Sequence, residues 1–127
     1  DFGEAVGVAF QIHDDVLGLW GDPERTGKPA GNDLRRRKRS LPILRGLGHP
    51  DLGPDLAARL VDERPLDDAE TAVWLDRLEA GGCRQASVSA AREAADQALS
   101  LLAELDLAPE PARLLAALTR ASVERDH

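Results

Sequence analysis

The segment FGEAVGVAFQIHDDVLGLW, residues 2–20, constrains this chain more than any other. It contains no proline. Wound as a helix at about 100° per residue, it brings Glu4, Gly7, Gln11, Asp14, Asp15 and Gly18 onto one narrow face. Almost everything else between Val6 and Trp20 is apolar: Val6, Val8, Ala9, Phe10, Ile12, Val16, Leu17 and Leu19. An ordinary surface helix carries one apolar stripe on a polar remainder. Here the pattern is inverted. A helix that is apolar on most sides is expected to be buried, so its carboxylates must face an internal cavity, a partner charge or a metal.

Two adjacent carboxylates in such a place repel each other and are costly to ionise without a cation. Hard oxygen donors at this density suit Mg²⁺ held jointly with a phosphorylated substrate. Gly7 and Gly18 leave room along the same face. Spacing alone equally allows Asp14 and Asp15 to sit at the solvent-facing end of a short helix. His13 points away from the Asp14 stripe and reads as structural.

The next segment, GDPERTGKPAGND, is expected to lack regular structure, because Pro23, Gly27, Pro29 and Gly31 interrupt it. Lys28 lies between Gly27 and Pro29, in backbone that the proline restricts. A charge run, Arg35–Arg39, follows and contains Lys38. Two cations from this stretch suit the phosphates that an aspartate-bound metal also holds. Plain solvation is the alternative for each lysine, and the run also has the composition of a nucleic-acid or nuclear-localisation patch. The overall charge opposes that last reading. Acidic residues number 23 against 16 basic ones, a net charge of −7, so no nucleic-acid partner is expected.

The remainder reads as helices separated by proline and glycine. Ser40 is placed to cap SLPILRGL, Pro65 stops a short helix over DLAARLVDE, and Asp67 with Glu70 has capping-box spacing before ETAVWLDRLEA. Gly81 and Gly82 end that helix. A long helix from about Arg84 to Leu105 is expected next, and Pro109 and Pro111 open the last one, ARLLAALTRASVER. The fold class is therefore all-α, an antiparallel helix bundle. Its 127 residues fit one domain, and with only Phe2, Phe10, Trp20 and Trp74 as aromatics the core must be aliphatic. Cys83, the sole cysteine, permits no internal disulfide and suits a reducing, cytoplasmic location. No apolar run approaches ~18 residues, so no membrane span is expected.

Taken together, FQIHDDVLGLWGDPERTGKPAGNDLRRRKRSLP resembles the second aspartate-rich region of the trans-isoprenyl diphosphate synthases, which include farnesyl and geranylgeranyl diphosphate synthases. The shared pattern is an FQ-x-x-DD helix, a GD-P-x-x-TGKP loop, then G-x-DLR-x-x-K-x-(S/T)-LP. The resemblance implies an all-α fold around a deep cavity and a Mg²⁺-dependent prenyl transfer. In that reaction an allylic diphosphate ionises, the double bond of isopentenyl diphosphate attacks the carbocation, and a proton is lost. It further implies Asp14 as a metal ligand with Asp15 as a supporting carboxylate, and Gln11 near the reacting allylic end. Lys28 and Lys38 would bind the allylic diphosphate, and Asp33 would orient the loop and its lysines.

The sequence departs from that family in two ways. The third aspartate of the common DDxxD motif is replaced by Gly18, a DDxLG form familiar in some bacterial members. The first aspartate-rich motif and the basic residues that bind isopentenyl diphosphate have no counterpart. The chain also enters a helical pattern at Asp1 and has no methionine. It is expected to be the C-terminal part, residues 1–127, of a single prenyltransferase domain, inactive alone, with the missing N-terminal helices as its structural partner and a homodimer as the complete protein. The alternatives are a non-catalytic partner subunit of a prenyl diphosphate synthase and a class I terpene cyclase fragment.

Overall fold

The structure, a computed structural model, describes residues 1–124. It contains eight helices among them: α1 (Phe2–Trp20), α2 (Pro23–Thr26), α3 (Asn32–Arg35), α4 (Leu41–Leu47), α5 (Gly53–Val61), α6 (Asp68–Ala80), α7 (Cys83–Ala103) and α8 (Pro109–Glu124). The all-α class and the long first helix agree with the sequence. The chain divides into two compact units. One comprises Asp1–Asp14 with the described residues from Val88 onward, and the other Asp15–Ser87.

The second unit has the larger apolar core: Leu19, Leu34, Ile43, Leu52, Leu56, Leu66, Trp74, Leu78 and Cys83. Leucine dominates it, as the scarcity of aromatics requires. Gly46 lets α4 press against its neighbours, since a Cβ there would stand 2.9 Å from Leu56 Cδ2 and close to Leu78 as well. In the first unit the buried apolar positions are small, namely Ala5, Ala9, Ala91, Ala95 and Ala98, with Leu102 the largest, and Thr119 is buried as well. Along α7 the buried residues recur as Cys83, Ser87, Ala91, Ala95, Ala98 and Leu102, the three- and four-residue steps of one helical stripe.

The segment expected to be irregular contains two single-turn helices. Asp22 caps α2 by accepting the Glu24 N–H at 3.0 Å, Pro23 presets the first turn, and Gly27 closes it in the left-handed conformation at φ 73°. Three short-range signals thus define one turn. The start of α5 likewise lies earlier than expected, at Gly53, because Pro54 fits a first turn. Helix α8 begins at Pro109 and includes both prolines; Arg125, expected to belong to it, lies outside the described residues. The Asp67–Glu70 capping box forms by half. Asp67 Oδ1 accepts the Glu70 N–H at 2.7 Å, but the Glu70 carboxylate pairs with Arg59 instead, at 2.6 Å.

Candidate functional site

Helix α1 treats its two aspartates differently. Asp15 is buried, with both oxygens engaged: Oδ1 accepts from Lys38 Nζ at 3.3 Å, and Oδ2 accepts the Leu41 N–H at 3.1 Å. Asp14 is exposed and makes no ion pair among the described residues. The polar stripe expected to face inward is open over Glu4, Gly7, Gln11 and Asp14, and Val8 and Phe10 are half-exposed beside it. These apolar side chains, not the carboxylates, are out of place against solvent.

The Asp15–Leu41 bond corrects the expected cap of α4. Ser40 occupies the N-cap position, but its side chain makes no capping bond and its hydroxyl is buried with no hydrogen-bond partner. A carboxylate from α1 meets the first N–H of α4 in its place, which also complements that helix end electrostatically. Capping rules look within a few residues of a helix start. A donor–acceptor pair 26 residues apart therefore gave no local signal.

Lys38 is held by two carboxylates. Besides Asp15, Asp33 Oδ2 lies 3.7 Å from its ammonium, and both aspartate side chains are about nine-tenths covered. The backbone delivers Lys38 to this place through a Schellman closure of α3. The Lys38 N–H donates to Asp33 O at 2.9 Å and the Arg37 N–H to Leu34 O at 3.0 Å. Arg37 has φ 53°, the sole non-glycine residue with positive φ among the described residues. Glycine usually fills that position, and a side chain there costs about 1–2 kcal/mol. The Arg37 guanidinium offsets this by donating to the carbonyls of Asp62 at 2.7 Å and Arg64 at 2.8 Å.

The basic run is consequently only in part a solvated patch. Arg35 pairs with Asp68 at 2.6 Å and reaches Thr71, Arg37 staples the segment after α5, and Lys38 is clamped. Lys38, although clamped, is exposed, as are Arg36 and Arg39. Lys28 is likewise exposed, in a loop whose ends are fixed. Its N–H donates to Thr26 Oγ1 at 3.2 Å, and the Gly31 N–H donates to Leu19 O at 2.9 Å. Gly31 adopts φ 75°, and a Cβ there would overlap Thr71.

The structure thus gathers Asp15, Asp33 and Lys38, presents Lys28 on a tethered loop, and leaves Gln11 and Asp14 exposed on α1. Sequence reasoning missed what Gly18 does. A Cβ built on Gly18 would overlap the Asp33 carboxylate, which fills the space over that glycine. The polyprenyl synthetase family model matches residues 1–73, the part of the chain that carries all of these groups. The chain belongs to the polyprenyl synthetase family. It is 39% identical over 128 residues to the (2E,6E)-farnesyl diphosphate synthases of Mycobacterium bovis and Mycobacterium tuberculosis, an alignment covering 98% of this chain and 36% of theirs. Among solved structures it is similar to a geranylgeranyl pyrophosphate synthase of Corynebacterium glutamicum complexed with isoprenyl diphosphate and magnesium. There the TM-score is 0.87 at 30% identity, over 98% of this chain and 36% of that one. A polyprenyl synthetase of Streptomyces coelicolor A3(2) matches with a TM-score of 0.85 at 31% identity, over 95% and 38%. The chain spans just over a third of the length of these relatives.

Among the described residues no three carboxylate, histidine or cysteine side chains converge as a metal-holding group. Asp14 nonetheless offers an exposed, uncommitted carboxylate, and Mg²⁺ commonly takes one or two protein carboxylates with substrate phosphates and water. No helix of the described chain is long and apolar enough to cross a membrane.

Proposed function

We propose that this chain is the C-terminal part, with residues 1–127 inside a single domain, of a cytoplasmic prenyl diphosphate synthase. The enzyme condenses isopentenyl diphosphate with an allylic diphosphate to give a longer linear polyprenyl diphosphate. The observation that carries the reading is the clamp on Lys38. An ammonium held by two covered carboxylates follows in sequence the loop that exposes Lys28, so two cations of the family pattern come from one stretch of chain.

On this reading each residue has a distinct task. Lys28, exposed and in no ion pair among the described residues, takes up the diphosphate as it arrives. Lys38, already oriented, holds a phosphoryl oxygen without a further search of rotamers, which lowers the entropic cost of binding. Asp15 and Asp33 hold that lysine in place. Asp14 is the carboxylate offered to Mg²⁺. The metal, when bound, stabilises the charge that collects on the departing diphosphate. When the allylic C–O bond breaks, its electron pair leaves with the diphosphate, and Lys28 and Lys38 face that developing charge. Gln11 stands near the allylic carbon, where the double bond of isopentenyl diphosphate forms the new C–C bond before a proton is lost.

The complete protein is a homodimer, and its N-terminal helices supply the other metal ligands and the isopentenyl diphosphate site. The test is a product assay with labelled isopentenyl diphosphate, dimethylallyl, geranyl or farnesyl diphosphate, and Mg²⁺ on the full synthase polypeptide. Chain elongation that stops on chelation and in Asp14→Ala is expected. Elongation that survives either change would overturn the metal assignment, and no elongation with any allylic partner would overturn the reading itself.

A further inference from the structure

The Asp33 carboxylate lies where a side chain of residue 18 would begin. Three facts meet there. Gly18 sits at the end of the polar stripe of α1 and brings no side chain. Asp33, from α3, is buried and fills the gap. The same carboxylate stands 3.7 Å from Lys38 Nζ, while Asp15, one turn back on α1, stands 3.3 Å from it.

We infer that Asp33 supplies across the Gly18 gap the carboxylate that ends the polar stripe, and acts there as a positioning residue that sets Lys38 for diphosphate. The kinetic part of this inference rests on the prenyl-transfer reading above; the steric part does not. Gly18 is a requirement of the device. Any side chain at 18 displaces Asp33 and releases its side of the clamp on Lys38. An aspartate at 18, which would complete a DDxxD pattern on α1, is therefore harmful in this protein. Two carboxylates would compete for one space beside one ammonium, and like charges so close disfavour ionisation.

A helix interior normally gains from Gly→Ala, since alanine has the better propensity. At residue 18 the sign is reversed, and the melting temperature of Gly18→Ala falls below that of the parent. That measurement needs no activity. In the full synthase, Asp33→Asn keeps the shape and removes the charge. It raises KM for the allylic diphosphate about tenfold and changes kcat much less, as expected when a uniform binding contact is lost. Gly18→Asp gives the same loss. Adding Asp33→Gly to Gly18→Asp reopens the space, returns a single carboxylate to the clamp, and recovers most of that KM.

Gly18→Asp with parental or lower KM would overturn the inference, as would an unchanged KM in Asp33→Asn or a raised melting temperature in Gly18→Ala. Should Gly18→Asp fail to fold, the near-isosteric Asp33→Asn still decides. A parent enzyme without prenyl transfer would defeat the functional reading alone, and the melting comparison would still judge the Gly18–Asp33 pair.

Discussion

Asp14 and Asp15 are neighbours in sequence in opposite environments. Asp15 is buried and bonded through both oxygens, to a lysine and to a helix N-terminus. Asp15→Asn weakens one bond and misdirects the other, so it should cost roughly 1–3 kcal/mol in urea unfolding. Asp14→Ala should leave that stability unchanged and lower turnover of the full synthase on the order of a hundredfold or more. Equal stability losses from both would show that the two carboxylates share one environment. The lysines divide in the same way. Lys28→Ala removes an exposed ammonium and should raise KM for the allylic diphosphate ten- to a hundredfold, for a contact worth roughly 1.5–3 kcal/mol. Stability should not move. Lys38→Ala strips the countercharge from two covered carboxylates, so both stability and KM should suffer.

At the scale of elements, the connection between α5 and α6 is held almost wholly by arginines. Arg64 donates to Asp62 at 2.8 Å through Nε, Arg59 grips Glu70, and Arg37 donates to the carbonyls of Asp62 and Arg64. The Arg64 side chain, followed by its backbone N–H, lowers the Asp62 pKa from its ordinary 3.8 to about 2. The Arg59 side-chain bond does the same for Glu70, in direction. Carboxylates with depressed folded-state pKa values stabilise the native state above their unfolded pKa, and that stabilisation is lost as pH falls through the folded one. Amide exchange over residues 62–67 should accordingly be steady near neutrality and quicken as pH drops from about 4 towards 2, more so in high salt. Protection that persists to pH 2 would mean that the ion pairs do not hold this segment. Arg37 joins the connection to the Lys38 turn. Arg37→Gly relieves the left-handed strain while losing the hydrogen bonds to Asp62 and Arg64 and a longer one to the Arg35 carbonyl, so its unfolding free energy should stay within about 1 kcal/mol of the parent. Arg37→Ala keeps the strain and loses the same bonds, so it should be the less stable of the two.

For the whole molecule, the issue is what the exposed apolar residues meet. Val8 and Phe10 are about half exposed on α1, and Leu114 and Leu118 more so, one turn apart on α8. The relatives are nearly three times as long, and under the proposed function their additional helices cover such surface. The chain alone should then show helical circular dichroism and no prenyl transfer, and should self-associate in sedimentation, since bare apolar patches beyond a few hundred Å² are seldom tolerated. Adding the N-terminal part of the synthase should restore both a single species and Mg²⁺-dependent product. A stable monomer that elongates prenyl chains unaided would contradict this.

The sequence by itself determined the helical class and the extent of the long helices to within a few residues, but not the single-turn helices α2 and α3 or the early starts of α5 and α8. Those features are local. Proline, glycine, cap residues and the 3.6-residue period act over a few positions, so Phe2–Trp20, the Asp67 cap and the Gly81–Gly82 stop were all legible. Only the tertiary structure decided which carboxylate is buried and what it bonds to. Burial of Asp15 but not Asp14, its bond to Leu41, and the entry of Asp33 into the space over Gly18 join residues 15 to 26 positions apart in sequence. No periodicity records such pairs, because their partners come together through packing of the leucine core that brings α1, α3 and α4 to one place.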